Sequence, residues 1–195
     1  IDFEVPENGS LFTYSADTKA DFMADHLRIK EGKQVFDAQM LDLLSGEVYE
    51  IGAESIKLKL PGKHNVENAM ASMAIACQLG GQFEEIVEAV ASFEGVKRRF
   101  DQYQGSGSVY IDDYAHHPEE VKATLNAVRS LYPEQQITVV FQPHLFSRTR
   151  DFVDGFAQSL SLADELILLE IFPARETPIE GVDAEMLLSK VQLDA

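Results

Sequence analysis

Cysteine is nearly missing. Cys77 stands alone in 195 residues, which excludes an internal disulfide framework and any zinc cluster built on cysteines. No apolar run approaches the ~18–20 residues that span a bilayer. The opening Ile1-Asp2-Phe3-Glu4 has neither the basic region nor the apolar stretch of a signal peptide. It also lacks a starting Met, which suggests a processed or excised piece. Positive charge is scarce: 16 bases face 33 acids, for a net charge of −17. Such a field disfavours nucleic-acid backbones and anionic membranes as partners. The phosphate-loop pattern G-x-x-x-x-G-K-[ST] does not occur. Gly62-Lys63 comes nearest, but Lys57 stands where the first glycine belongs and His64 where the Ser/Thr belongs. These 195 residues alone are not expected to hydrolyse ATP by that route.

What is present is ordinary globular material, 45% hydrophobic and 25% charged, which excludes disordered and collagen-like classes and fits a cytoplasmic protein. The few bases are clustered, at Lys97-Arg98-Arg99 and at Arg148 and Arg150. From Asp151 onward the only bases are Arg175 and Lys190. Local positive clusters on a repelling background point to an anionic small molecule.

The first sixty residues read as an antiparallel meander. Strands around 11–14, 26–29, 34–40 and 55–60 are separated by Glu31-Gly32, Ser45-Gly46 and Gly52. Ile56, Leu58 and Leu60 alternate with Lys57 and Lys59, the period-two pattern of a half-buried strand. Pro61-Gly62 breaks it. A helix follows, with Asn65 as N-cap, Val66, Met70, Met73, Ala74 and Cys77 on its core face, and Gly80-Gly81 as its stop. A second helix over 83–92 carries Ile86, Val87 and Val90 on one face, and a domain boundary is placed at Gly95.

Beyond the boundary, strands alternate with helices: a strand at 108–111, a helix from Pro118 to Leu131, and a strand at 136–141. A helix over 150–163, a strand at 165–171 and a helix at 183–191 complete the series. This order implies right-handed crossovers and a mostly parallel sheet. The run QITVVF, apolar on successive residues, fits burial on both faces. Gly105-Ser106-Gly107 is a turn into the first of these strands. The fold class is therefore α/β, with antiparallel strands plus helices in residues 1–95. A Rossmann-like, mostly parallel domain follows in 96–195, small for its kind and so apparently truncated.

In an open parallel sheet, ligands sit beyond the carboxyl ends of the strands. Asp112, Asp113, Tyr114, His116 and His117 follow the first strand of the second domain. Gln142, His144, Ser147, Arg148 and Arg150 follow the second, and Phe172, Ala174, Arg175 and Glu176 the third. The three strand ends should face one crevice. Each piece also has a plainer reading: Asp112-Asp113 as strand-end caps, His117 as the cap of the helix opened by Pro118. Arg148 and Arg150, placed at a helix start, oppose the helix dipole unless an anion occupies the site.

Several segments together resemble a known family. LPGKHNVENAMAS at 60–72, FEGVKRRFD at 93–101, DDYAHHPEEV at 112–121 and FQPHLFSRTRDF at 141–152 are similar to motifs of the Mur ligases of peptidoglycan synthesis. IFPARETPIEGV at 171–182 extends the likeness, so that it covers roughly Ser55 to Val182. The resemblance implies three domains: one for a UDP-sugar, a central ATPase and a C-terminal Rossmann-like domain. On that map, residues 1–95 are the last part of the central domain and 96–195 the first part of the C-terminal one.

By the same resemblance, the intact enzyme joins L-alanine to UDP-N-acetylmuramate through an acyl phosphate, with ATP and Mg2+, and this fragment alone is inactive. A sister ligase that recycles a whole peptide shares DDYAHHP, but FQPHLFSRTR favours the alanine-adding branch. The resemblance makes His64, Asn65 and Asn68 adenine and ribose contacts, Arg99 an interdomain arginine facing the ATP phosphates, and Asp113 a nucleotide contact. Tyr114, His116, His144, Arg148 and Arg150 line the substrate and amino-acid pocket. Catalytic roles fall to Arg99, Asp113, His144 and Arg148. Where many relatives carry Arg after the His of FQPH, this chain has Leu145, leaving the anion to Arg148 and Arg150. Two other readings remain open. One is a metal-dependent hydrolase built from Asp112, Asp113, His116, His117 and His144. The other is a non-catalytic nucleotide-sugar binding module.

Overall fold

In the computed structural model, residues 9, 11–41, 46 and 48–193 are described. The chain divides into two compact units, Ile1–Gly95 and Val96–Ala195.

The first unit is a four-stranded sheet in the order β1 (Tyr14–Ser15), β2 (Phe22–Lys30), β3 (Lys33–Leu41), β4 (Val48–Leu58). Alternation puts Phe22, Ala24, Phe36, Ala38, Met40, Ile56 and Leu58 on one face. There they meet Val66, Met70, Met73 and Ala74 of helix α1 (Lys63–Gln78) and Ile86 of α2 (Phe83–Ser92).

The first unit departs from the expected meander and helix start at three points. First, β1 pairs parallel to β2, because the Asp21 carboxylate accepts the N–H and the hydroxyl of Thr13, both at 2.8 Å, and closes the intervening loop. Second, Gly52 does not separate strands. It lies inside β4, where Phe36 pairs with Ile56 but Ala38 with Ile51, so the residues between bulge out of the ladder. Of the turn at Ser45-Gly46, Gly46 has φ 74° and Ser45 lies outside the described residues. Third, Asn65 is not the N-cap of α1. Gly62, at φ 103°, caps the helix, and its carbonyl already accepts the N–H of Asn65 at 3.0 Å. The Asn65 amide instead donates to the Pro61 carbonyl at 2.7 Å.

Helix α1 ends where the glycine pair predicts. Gly80 (φ 83°) donates to Cys77 and Gly81 to Ala76, the paired bonds of a Schellman motif. A Cβ on Gly80 would touch nothing within 4 Å, so the penalty of a side chain there is conformational alone. Gly80→Ala is therefore expected to destabilise the first unit by about 1 kcal/mol. The check is a lower denaturation midpoint at unchanged m-value.

The second unit opens with a hairpin that the sequence reading half missed: β5 (Asp101–Gln104) pairs antiparallel with β6 (Val109–Asp112). Gly105 and Gly107 make the turn, with the Gly105 N–H donated to Ser108 at 2.8 Å. Among the described residues, β6 therefore has β5 as its ladder partner, and the parallel pairing joins β7 (Thr138–Phe141) to β8 (Glu165–Leu168). Helix α3 (Pro118–Leu131) starts with Pro at its first position, as expected. Val121, Leu125, Ile137, Phe141, Phe156, Ala157, Leu160 and Leu187 form the core, with the Phe141 and Phe156 rings 5.5 Å apart. Burial on both faces of β7 is not found. Val139 and Phe141 pack into this core, while Val140 and its partner Ile167 are exposed, because the helices of this core cover the opposite face.

The helix expected over 150–163 is two, α4 (Phe146–Asp151) and α5 (Val153–Leu160). The chain turns at Phe152, whose ring lies edge-on to His117 at 4.8 Å. Gly155 then comes close enough to Pro118 that a Cβ would sit 3.1 Å from its ring. The buried Ser159 hydroxyl, 2.9 Å from the Pro118 carbonyl, locks α5 onto the start of α3. Helix α6 (Ala184–Leu188) is capped by Asp183, which accepts the Met186 N–H at 2.7 Å.

Candidate functional site

The loops at the ends of β6, β7 and β8 are joined by hydrogen bonds. Beyond β7, Phe172 donates to Pro143 at 2.8 Å, Leu145 donates to Phe172 at 3.0 Å, and the His144 and Phe172 rings stack at 5.5 Å. Ser147 donates its N–H (2.9 Å) and its hydroxyl to the Glu176 carboxylate, tying the loop after β8 to α4. Arg148, half-buried, reaches the His116 carbonyl of the β6 loop at 3.5 Å, a long and weak contact. The convergence of three strand ends is thus a feature of this unit.

The β6 loop is stapled to the segment before β5. Asp113 accepts the Phe100 N–H at 2.9 Å and the Ala115 N–H at 2.7 Å, one on each oxygen. Tyr114 donates to the Arg98 carbonyl at 2.8 Å. These bonds hold Arg98 and Phe100 at φ 59°, a left-handed conformation that costs a side-chain-bearing residue roughly 1–2 kcal/mol. Between them Arg99 is exposed, and its guanidinium has no hydrogen-bond or ion-pair partner among the described residues. Arg98 lies over the Tyr114 ring at 5.0 Å, and the Tyr114 ring meets His116 edge-on at 5.3 Å.

His117 takes its plainer role. Its Nδ1 accepts the Glu119 N–H at 3.4 Å, and Glu120 reaches back to the His116 and His117 N–H groups at 2.9 and 3.2 Å, completing a capping box. Arg148 and Arg150 do not stand at a helix start. Both stand in the last turn of α4, where a cation suits the dipole, so their position does not itself call for an anion. Arg150 is moreover paired with Asp151 at 2.7 Å, which leaves Arg148 as the better-placed guanidinium.

In the first unit, His64 and Asn65 are half-buried and Asn68 exposed, all in the first two turns of α1. The Asn65 amide nitrogen is committed to Pro61, which leaves its carbonyl oxygen as the free acceptor edge.

Glu176 belongs to the third strand-end set, whereas Glu120 was not singled out from the sequence, although the spacing His117-x-x-Glu120 ahead of an apolar run is a capping-box signature. Burial raises the Glu120 carboxyl, but the N–H groups of His116 and His117 and the charge of Arg99 bring it below its ordinary value. Bonds from the Ser147 hydroxyl and N–H hold Glu176 below its own. Bonds from Arg129 and the Ile137 N–H do the same for Asp164. A carboxyl lowered by folding contributes stability that is complete above its unfolded value and lost as pH falls through its folded one. Thermal unfolding of this unit should therefore be level above about pH 5 and decline below it. Glu120→Gln should flatten the decline. A Tm that holds level through the acid range would contradict these assignments.

The hydrolase reading finds no ligand set. Among the described residues no three His, Cys, Asp or Glu side chains gather as metal ligands, Asp113 is bound to amides, and His117 is a cap.

Known proteins resemble the chain along nearly its whole length. UDP-N-acetylmuramate–L-alanine ligase of Flavobacterium psychrophilum is 48% identical over 181 residues, 92% of this chain and 39% of that protein. The crystal structure of the UDP-N-acetylmuramate–alanine ligase of Thermotoga maritima superposes with a TM-score of 0.70 at 28% identity, covering 92% of this chain and 36% of that one. The MurF ligase of Thermotoga maritima in complex with ADP shares the fold, with a TM-score of 0.62 at 18% identity over 81% of this chain and 35% of that one. The chain thus spans about two fifths of the length of the curated relative. The family model of the Mur ligase middle domain matches residues 3–76, and that of the Mur ligase glutamate ligase domain matches 98–195. With both domain models met in order along one chain, the protein belongs to the Mur ligase family.

Proposed function

We propose that the whole protein joins L-alanine to UDP-N-acetylmuramate in an ATP-dependent step of peptidoglycan synthesis, and that these residues supply its amino-acid pocket and part of its nucleotide site. The observation that carries this reading is the meeting of three strand-end loops around the half-buried Arg148. The 48% identity to an alanine-adding relative supports L-alanine as the amino acid.

Each residue then has a task its chemistry suits. Arg148 offers a planar, permanently charged fork that pairs bidentately with the carboxylate of L-alanine. His144 and His116, the latter holding its Nδ1 2.9 Å from the Tyr114 carbonyl, border that position with Tyr114. Arg150, bound to Asp151, contributes a more distant positive charge. Arg99, exposed between its two left-handed neighbours, presents a charge to phosphate oxygens. Asp113 sets the loop from which Arg99 projects, and its spare lone pairs accept from the nucleotide. His64, Asn65 and Asn68 offer the mixed donors and acceptors that a neutral base edge and a ribose require. ATP supplies the activation of the muramoyl carboxylate; positioning and charge stabilisation fall to the protein. Among the described residues no cluster of His, Cys, Asp or Glu gathers to hold Mg2+.

No described helix is long and apolar enough to cross a membrane, and with the acidic surface this favours a cytoplasmic enzyme without nucleic-acid partners. The reading frame that encodes this chain provides the test. A Gly-x-x-Gly-Lys-Thr/Ser loop following a strand, behind a further domain, supports the ligase, and the 195 residues alone form no product from ATP, L-alanine and the UDP-sugar. A frame with no such loop, or product from the isolated chain, contradicts it.

A further inference from the structure

Helix α4 carries Arg148, yet it has no cap of its own. The residue at its N-cap, Leu145, has no side-chain oxygen and sits at φ 73°, so the first amides of the helix lack a local acceptor. The acceptor comes from 29 residues away. Glu176 takes the Ser147 N–H at 2.9 Å on one oxygen and the Ser147 hydroxyl on the other. Glu176 is itself fixed by a turn, donating its N–H to Pro173 at 2.9 Å across Ala174, which is held at φ 52°. Two side-chain-bearing residues in the left-handed region, one on each loop, thus flank a single carboxylate clasp. Strain of this kind persists only where the surroundings over-determine it.

The clasp has a consequence for the guanidinium one residue on. Among the described residues the Arg148 head group is tethered by the long contact to the His116 carbonyl alone, so the direction of the side chain is set by where α4 lies. The orientation of α4 is fixed at its far end by Phe152 against His117 and at its near end by Glu176. Thr149, fully buried between these two ends, bonds its hydroxyl to the Leu145 carbonyl at 2.8 Å and anchors the middle of α4 in the core.

We propose that Glu176 is a positioning residue for the amino-acid substrate: by clasping the N-terminus of α4 it aims Arg148 at the substrate carboxylate. This rests on the proposed function for the identity of that substrate, but the clasp itself is independent of it.

The test uses the whole enzyme. Glu176→Ala should raise KM for L-alanine at least about fivefold, with kcat and KM for ATP within about twofold of wild type, since the lost term is binding of one substrate. Glu176→Gln, whose amide can accept the Ser147 N–H and donate to its hydroxyl, should restore KM to within about twofold. Amide hydrogen exchange at Ser147 should quicken in Glu176→Ala and not in Glu176→Gln. An unchanged KM, a uniform loss of kcat and both KM values together with Tm, or unaltered Ser147 exchange would overturn the assignment. If the wild-type enzyme shows no L-alanine-dependent turnover while Ser147 exchange responds as stated, the substrate reading fails and the clasp stands.

Discussion

Asp113→Ala should destabilise the second unit by about 2–4 kcal/mol, because it strips the acceptor from two backbone donors at once. The Phe100 N–H belongs to a residue only 3% exposed and has no water to turn to. The Ala115 N–H loses its 2.7 Å bond in the same step. The Phe100 bond also anchors one of the two left-handed residues that flank Arg99, so the loop should relax once it is gone. In the whole enzyme the variant should lose turnover and nucleotide affinity together, since the same loop presents Arg99. Asp113→Asn, which keeps one carbonyl oxygen, should retain about half the stability. If nucleotide affinity falls in Asp113→Asn as far as in Asp113→Ala, the carboxylate acts on the nucleotide directly. If affinity instead follows stability, it acts through the loop. An Asp113→Ala protein with wild-type unfolding midpoint would contradict the structural part of the argument.

Arg148→Ala should leave the fold nearly untouched and the chemistry impaired. Its one hydrogen bond among the described residues, 3.5 Å long, is too weak to hold the unit together. Removing a fork that pairs with a carboxylate should raise KM for L-alanine or lower turnover at least tenfold, ~1.4 kcal/mol. Arg148→Lys keeps the charge but not the planar pair of donors, and should recover only part of the loss. Steady-state kinetics with L-alanine varied at saturating ATP and UDP-sugar measures this. Unchanged constants in Arg148→Ala would remove this side chain from the pocket and pass the role to Arg150.

The helical periodicity of Val66, Met70, Met73 and Ala74, with Gly80-Gly81 as stop, is written into the sequence because packing and the glycine conformation depend on residues close together. The first-unit strands are legible for the same reason, through the alternation of Ile56 and Leu58 with Lys57 and Lys59. What could not be read locally were features set by distant partners. Asn65 resembles an N-cap in isolation, yet the backbone conformation of Gly62 starts the helix earlier and turns the amide back to Pro61. The run through Arg148 and Phe152 does not show that α4 and α5 are separate, because the break is fixed by His117 and Pro118, more than thirty residues away in sequence. That error had placed Arg148 and Arg150 at a helix start, where they seemed to demand an anion; in the last turn of α4 they do not.

The candidate site follows the same division. The rule that ligands gather beyond the carboxyl ends of strands put Asp113, Tyr114, His116, His144 and Arg148 in one region, and the hydrogen bonds among their loops join them. The rule does not tell ligand from scaffold. His117 became a cap, Asp113 a staple for two amides, and Arg150 a partner of its neighbour. Glu176, part of the third strand-end loop, had no signal beyond its place, because its function depends on Leu145 failing to cap a helix.

The central claim, that this chain belongs to an enzyme joining L-alanine to UDP-N-acetylmuramate, is tested most directly by incubating the whole protein with ATP, the UDP-sugar and single amino acids. Product and ADP are then counted together. The account predicts ADP formed one-for-one with a UDP-N-acetylmuramoyl-L-alanine product, dependent on L-alanine. ADP release without ligation, or ligation of a preformed peptide in preference to L-alanine, would contradict it.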